Sequence, residues 1–325
     1  MIACRQIGAF AGFLCFAIHA NAQQRSTEYP TRPVRIIVGI APGGGLDTMT
    51  RVAATRLSER LGQTAVVDNR PGGGTLLGAD LAQQATPDGH TLLCASETLM
   101  LISIFKRTKY DVRKVFDPIV RLTTQPYILV VNPSLPVSSV KELIAYAKAR
   151  PGALSYGTPG VGTVIHIGWE RLNTTAGLDI VHVPYKGGAP AVLDVLSGQI
   201  HAVITTTITA GVHIKGGKLR AIAVTGPKRV PVYPDVPTIS ESAVPGYELT
   251  NSYGFFAPAG TPAPIVAMIN KLVIEVMHAP ETRKVLAGDG AEAAPPATPE
   301  EFRAKFAHDY AELEKTIAAA NIKLQ

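Results

Sequence analysis

The stretch Val34-Arg35-Ile36-Ile37-Val38-Gly39-Ile40-Ala41-Pro42-Gly43-Gly44-Gly45-Leu46-Asp47 decides how this chain is read. Its first half is an apolar, β-branched run, the pattern of a buried strand. Pro42 and three glycines end that strand in a tight turn, and Asp47 is a residue type that caps helix N-termini. An amphipathic run from about Thr48 to Leu61 follows. Such a turn leaves backbone N–H groups uncovered at a helix start, and glycine lets a ligand approach them closely, so the site favours an anion. Turn geometry alone would also account for the glycines. What favours a binding role is a second loop of the same make, Thr158-Pro159-Gly160-Val161-Gly162-Thr163.

The alternation of strand and helix continues outward from both loops. Thr64 to Asp68 reads as a strand, Asn69-Arg70-Pro71-Gly72-Gly73-Gly74 as a turn opening a helix from Thr75 to Ala85, and the run around Cys94 as a third strand. This order builds a parallel sheet. Met100 to Thr124 has no assignable pattern. Tyr127 to Val131 is a strand, and Ser138-Ser139-Val140-Lys141-Glu142 starts a capped helix. The second half repeats the logic: strands at Leu154 to Gly157, Ile180 to Val183, Ala202 to Ile204 and Leu219 to Val224, with helices from about Thr163 to Ala176 and from Gly187 to Leu196. Thr225 to Pro264 is rich in proline and glycine and suits a segment crossing back between lobes. Two amphipathic helices close the chain, Ile265 to His278 and Glu300 to Ala319, the last capped by Thr298 with Glu301 at the capping-box position.

At 325 residues there is room for two lobes and a sizeable core. The formal charge of +6 is spread out, and the basic clusters Lys106-Arg107-Thr108-Lys109 and Lys228-Arg229 are short and lack interleaved aromatics, which argues against nucleic acid as a partner. Residues 1–22 have the layout of a signal peptide: Arg5, an apolar stretch from Ile7 to Ile18, and Ala20-Asn21-Ala22 as the cleavage site. Export to the periplasm follows from it. Cys4 and Cys15 leave with that leader, so Cys94 remains alone, in a setting that reads as an inert core thiol.

The signatures of common chemistries are missing. No glycine loop ends in Gly-Lys-Ser/Thr, Gly72-Gly73-Gly74-Thr75-Leu76-Leu77-Gly78 misses the dinucleotide spacing by one residue, and there is neither a Gly-x-Ser-x-Gly elbow nor His-Glu-x-x-His. The histidines are scattered without metal-ligand spacing. His166 sits one turn into the helix after Gly162, facing either a ligand or the sheet; His182 and His201 read as structural. A two-lobed exported protein with anion-ready loops and no catalytic set points to binding. No cofactor and no metal are expected, and it is not expected to be an enzyme.

With these residues in hand the chain resembles the Bug-type, TctC-like solute receptors of tripartite tricarboxylate transporters. The likeness rests on Tyr29-Pro30-Thr31-Arg32-Pro33-Val34, Pro42 to Asp47, Asn69-Arg70-Pro71-Gly72, Pro87-Asp88-Gly89-His90-Thr91 and Gly157 to Thr163. It continues through His182-Val183-Pro184-Tyr185-Lys186-Gly187, Pro234-Asp235-Val236-Pro237-Thr238 and Ala257-Pro258-Ala259-Gly260-Thr261-Pro262. The resemblance implies an α/β, two-lobed periplasmic-binding-protein fold (type II-like), each lobe a mostly parallel sheet flanked by helices, with the ligand cleft between lobes. Lobe 1 would comprise residues 27–125 and 253–325, lobe 2 residues 126–252. It further implies a monomer that captures a small carboxylate, a di- or tricarboxylate or an aromatic acid, and hands it to the membrane components of the transporter. The alternative is a receptor that presents its closed form to a sensor kinase.

Carried over by position, the resemblance implies ligand-binding roles for Pro42, Gly43, Gly44, Asp47, Thr158, Gly160, Gly162, Thr163 and His166, with Thr205 and Thr206 at the end of a second-lobe strand. Asp47 is expected mostly to cap its helix, because a free carboxylate would repel the anion. Two departures stand out. Family members that take amino acids tend to carry an aspartate where Thr205-Thr206-Thr207 stand here, which favours a ligand without an amino group. Tyr253 occupies a position where tryptophan is frequent, and it leaves ligand size open because the ring could equally pack in the core.

Overall fold

The computed structural model describes residues 29–288 and 290–319, so the expected leader at 1–22 lies outside them. The apolar run forms β1 (Val34–Val38), with four of its five residues buried. After the glycine turn comes α1 (Gly45–Leu61), then β2 (Ala65–Asn69), α2 (Leu76–Gln83) and β3 (Thr91–Ser96). β1 pairs in parallel with both β2 and β3, as strands joined by helical crossovers must.

The stretch without a sequence pattern, Met100 to Thr124, holds most of α3 (Thr98–Ile104), α4 (Val112–Val115) and the first part of β4 (Phe116–Val131), a strand of 16 residues whose end is the expected strand at Tyr127 to Val131. The second lobe follows with α5 (Val140–Lys148), β5 (Ser155–Thr158), α6 (Val164–Ala176), β6 (Val181–Pro184), α7 (Gly188–Ser197), β7 (Ala202–Thr206), α8 (Thr207–Lys215), β8 (Arg220–Val224) and α9 (Ile239–Ser242). Here β5 lies between β6 and β7, again in parallel. The chain returns through β9 (Thr250–Pro258) and ends with α10 (Ala263–His278), α11 (Pro280–Gly288), β10 (Glu292–Ala293) and α12 (Pro299–Ala319). The Thr298–Glu301 capping box forms as the sequence suggests, with Thr298 N–H donating to Glu301 and Glu301 N–H to Thr298 Oγ1.

β4 joins the halves. Its first part, to Pro126, pairs antiparallel with β9, and its last part, from Tyr127, pairs antiparallel with β7 and β8. Two strands that cross between lobes in opposite directions must run antiparallel. Each lobe's sheet is therefore mixed, a parallel trio completed by antiparallel crossing strands, where the sequence suggested mostly parallel sheets.

The apolar cores divide in the same way. Ile36, Met49, Leu57, Phe255 and Val273 belong to the first lobe, and Leu129, Tyr156, Trp169 and Ile204 to the second. α12 begins against the first lobe through Phe302, Phe306 and Tyr310, and its Ile317 reaches the core of the second. A buried side chain of this kind contributes about 1.5–3 kcal/mol, and among the described residues two such cores do this work with no disulfide. Cys94 is free and buried on β3, and burial pushes its thiol up to about 12, so it is inert. Among the described residues no single helix is long and apolar enough to cross a membrane.

Candidate ligand-binding site

The site is assembled from helix starts. α1 begins with Gly44 as its N-cap and no side chain covering its first amides. α7 likewise begins behind a bare glycine, Gly187, whereas α6 and α8 are capped by Thr163 and Thr206, whose hydroxyls accept from His166 N–H and Thr209 N–H. These starts converge from both lobes on a cavity of about 50 Å³. Such a volume holds about three to five water-sized centres at ~10–15 Å³ each. The first lobe contributes Gly45 and Leu46 from α1, Thr75 ahead of α2, and Ser96 and Thr98. The second contributes Thr163 to Ile165 from α6, Gly188 from α7, and Thr205, Thr206 and Thr209. Tyr127 and Tyr253, on the crossing strands, complete the lining.

Among the described residues no lysine, arginine, histidine, aspartate or glutamate lines this cavity. First-turn N–H groups and aligned peptide dipoles at such helix starts favour an anion without a countercharge. The lobes are closed on each other. Ala41 N–H donates to the Lys186 carbonyl at 2.9 Å, Arg107 Nη1 to the Val161 carbonyl at 2.7 Å, and Val164 N–H to Thr98 Oγ1 at 3.3 Å.

Of the residues expected to bind ligand, Thr163, Thr205 and Thr206 line the cavity. Pro42, Gly43, Gly44, Asp47, Thr158, Gly160, Gly162 and His166 do not; they shape the loops behind it. Asp47 is not the N-cap. It stands in the first turn of α1 and its carboxylate reaches back to accept Gly43 N–H at 2.9 Å, while also bonding Arg51 and Asn69. Burial works to raise its pKa, but these donors prevail and hold it below the usual carboxylate range. Gly43 N–H is thereby used inside the loop. The second loop behaves likewise, with Gly160 N–H donating to Thr158 Oγ1 and Gly162 N–H to His166 Nδ1 at 3.1 Å. The residues that line the cavity at these starts, Gly45, Leu46, Thr163, Val164 and Ile165, lie just beyond each glycine turn.

His166 is buried and its ring stacks on His182 at 4.0 Å between centroids. Burial pushes both imidazoles down to about 4, with His166 a second cause for His182. A neutral ring is what leaves Nδ1 free to accept from Gly162. Among the described residues no group of three or more histidine, cysteine, aspartate or glutamate side chains could hold a metal. Sequence reasoning passed over Gly188, which the same glycine-before-helix signal at Gly187-Gly188 could have found, and Tyr127, Ser96 and Thr98, which carry no such signal.

Residues 49–322 match the tripartite tricarboxylate transporter family receptor, TctC. The chain belongs to the TctC family. Among TctC relatives, the protein BugT of Bordetella pertussis is 33% identical over 300 residues, 91% of this chain and 92% of BugT. Two TctC-type neighbours of known structure carry ligands. R. palustris Rpa4515 with adipate is 34% identical, with a TM-score of 0.86 over 90% of this chain and 99% of that one. MatC of Rhodopseudomonas palustris with bound malate is 29% identical, with a TM-score of 0.84 over 89% of this chain and all of the other.

Proposed function

We propose that this TctC receptor captures a small carboxylate in the periplasm by closing its lobes over it, and presents it as a monomer to the membrane components of a tripartite transporter, without chemistry on the ligand. The observation that carries this reading is the lining: helix starts and hydroxyls from both lobes, and no charged side chain of either sign. Hydrogen bonds to a charged group contribute about 1.5–3 kcal/mol each and a helix end roughly 0.3–1 kcal/mol. Four or five of them reach the about −8 kcal/mol of a micromolar receptor after ordering costs.

Adipate and malate in relatives of the same fold support a dicarboxylate. The lining offers no carboxylate to pair with an ammonium, which supports a ligand without an amino group. Thr163, Thr205 and Thr206 would touch it, with Pro42, Gly43, Gly44, Asp47, Thr158, Gly160, Gly162 and His166 holding the loops from behind. We place the lobe boundary at the pairing change between Pro126 and Tyr127, with the return near residue 250.

Thermal-shift screening of malate, succinate, adipate, citrate, benzoate, nicotinate, glutamate and arginine tests the reading. At a hundred times Kd a ligand adds about 2.7 kcal/mol to stability, a rise of a few degrees in Tm. One or more of the acids lacking an amino group should produce it and arginine should not. Stabilisation by arginine alone would overturn the carboxylate.

A further inference from the structure

Tyr253, on β9, lines the cavity and is 4% exposed. Its hydroxyl lies where three parts of the molecule meet. A Cβ placed on Gly45 would fall 2.9 Å from the Tyr253 hydroxyl and 2.5 Å from Thr206 Oγ1. A phenol from a crossing strand, the first residue of α1 and a hydroxyl from the second lobe therefore share one corner of the cavity.

Behind the phenol sit two amides. Gln125 on β4 and Asn251 on β9 are direct register partners, at the point where β4 leaves one half of the sheet for the other. Each is 1% exposed, and neither the oxygen nor the nitrogen of either side chain has a hydrogen-bond partner among the described residues. Buried polar groups without partners are rare in native proteins and call for a polar neighbour. Tyr253 stands two residues on from Asn251 in β9, so the two side chains leave the same face of the strand. Burial keeps the phenol protonated, able both to accept and to donate. A phenol that takes a hydrogen from these amides gives its own elsewhere.

We infer that Tyr253 binds the ligand through its hydroxyl hydrogen, and that Gln125 and Asn251 are a positioning pair that turns this hydrogen into the cavity, toward an acceptor oxygen of a carboxylate. The inference rests on the carboxylate reading above and deepens it. Because Tyr253 stands on a strand that crosses between lobes, its bond to the ligand is completed in the closed form. A phenol fixed as a donor selects an acceptor at that corner and disfavours an ammonium or amide N–H there.

Isothermal titration of the unaltered chain, Tyr253→Phe, Asn251→Leu and the double variant with malate and with adipate tests this. Tyr253→Phe should lower affinity for the better of the two acids about tenfold or more, with the free protein still folded by circular dichroism. Asn251→Leu should lower it about threefold or more, and the double variant should bind within about twofold of Tyr253→Phe, because the amide acts only through the phenol. Tyr253→Phe binding within twofold of the unaltered chain would overturn the inference, and multiplying effects in the double variant would overturn the positioning role. Failure of the unaltered chain to bind any small carboxylate would overturn the underlying reading, and the inference with it.

Discussion

At Gly45 one methyl group would be enough to hold the lobes apart. A Cβ there would meet Thr206 Oγ1 at 2.5 Å, Thr206 Cγ2 at 2.8 Å and the Tyr253 hydroxyl at 2.9 Å. Thr206 belongs to the opposite lobe, so its collision exists in the closed form and is relieved on opening, while the Tyr253 hydroxyl is the far end of a side chain that can give way. Alanine also suits a helix better than glycine. Gly45→Ala is therefore expected to leave the Tm of the free protein unchanged or slightly raised and to weaken carboxylate binding at least tenfold by titration calorimetry. Equal affinity would mean that the lobes do not close as described. The stacked imidazoles give a second test at this scale. His182 has its pKa pushed from the ordinary histidine value to about 4, by burial first and by His166 second. The native state thus binds fewer protons than the unfolded chain between roughly pH 6.5 and 4, so the stability that His182 provides is present above that window and lost as pH falls through it. The Tm difference between the unaltered chain and His182→Gln should be largest near pH 7 and shrink steadily down to pH 4. A difference that stays flat across that range would refute the assignment.

Among the elements, the segment after α3 acts as a latch. Arg107 reaches across from the first lobe to the Val161 carbonyl, in the loop ahead of α6. Gly74 lies at the same crossing, and a Cβ on it would come 2.6 Å from that carbonyl. Arg107→Ala should leave the fold intact and speed ligand release about three- to tenfold, the worth of one partly exposed hydrogen bond, as read by surface plasmon resonance. An unchanged off-rate would show that closure does not depend on it. Elements whose environment is local could be read directly: β1 with its glycine turn, the threonine cap of α6 and the Thr298 cap of α12. Of β4 only the end, Tyr127 to Val131, could. Its first part contains Pro118, Pro126, Asp117 and Arg121, and no single burial period describes the whole strand because it serves two sheets with different partners. α8 was hidden because Thr207-Ile208-Thr209 is β-branched and reads as more strand, and β9 because its apolar residues sit in a proline- and glycine-rich setting. Thr163, Thr205 and Thr206, which line the cavity, came from the family resemblance by position rather than from a local pattern. Tyr127 and Ser96 line the cavity only because of where β4 and β3 run, which no local pattern states.

Over the whole molecule, a cavity enclosed by both lobes can fill only if the lobes part, and β4 and β9 are the paired strands that pass between them near Pro126 and Thr250. A tether across the cavity mouth should therefore stop binding without touching the lining. Gly43 and Ala189 offer it: a Cβ on Gly43 would lie 3.6 Å from Ala189 Cβ, within the about 3.5–4.5 Å that a disulfide needs. Gly43 has φ of +83°, so a cysteine there costs about 1–2 kcal/mol, less than the roughly 2–4 kcal/mol a disulfide typically contributes. Cys94 will not interfere, since it is buried and its thiol is pushed up to about 12. The Gly43→Cys/Ala189→Cys variant, oxidised in the absence of ligand, should take up a carboxylate at least about a hundredfold more slowly than the unaltered chain. Reduction should restore association, and oxidation after loading should trap the ligand. Normal uptake by the oxidised form would show that the ligand does not pass between the lobes.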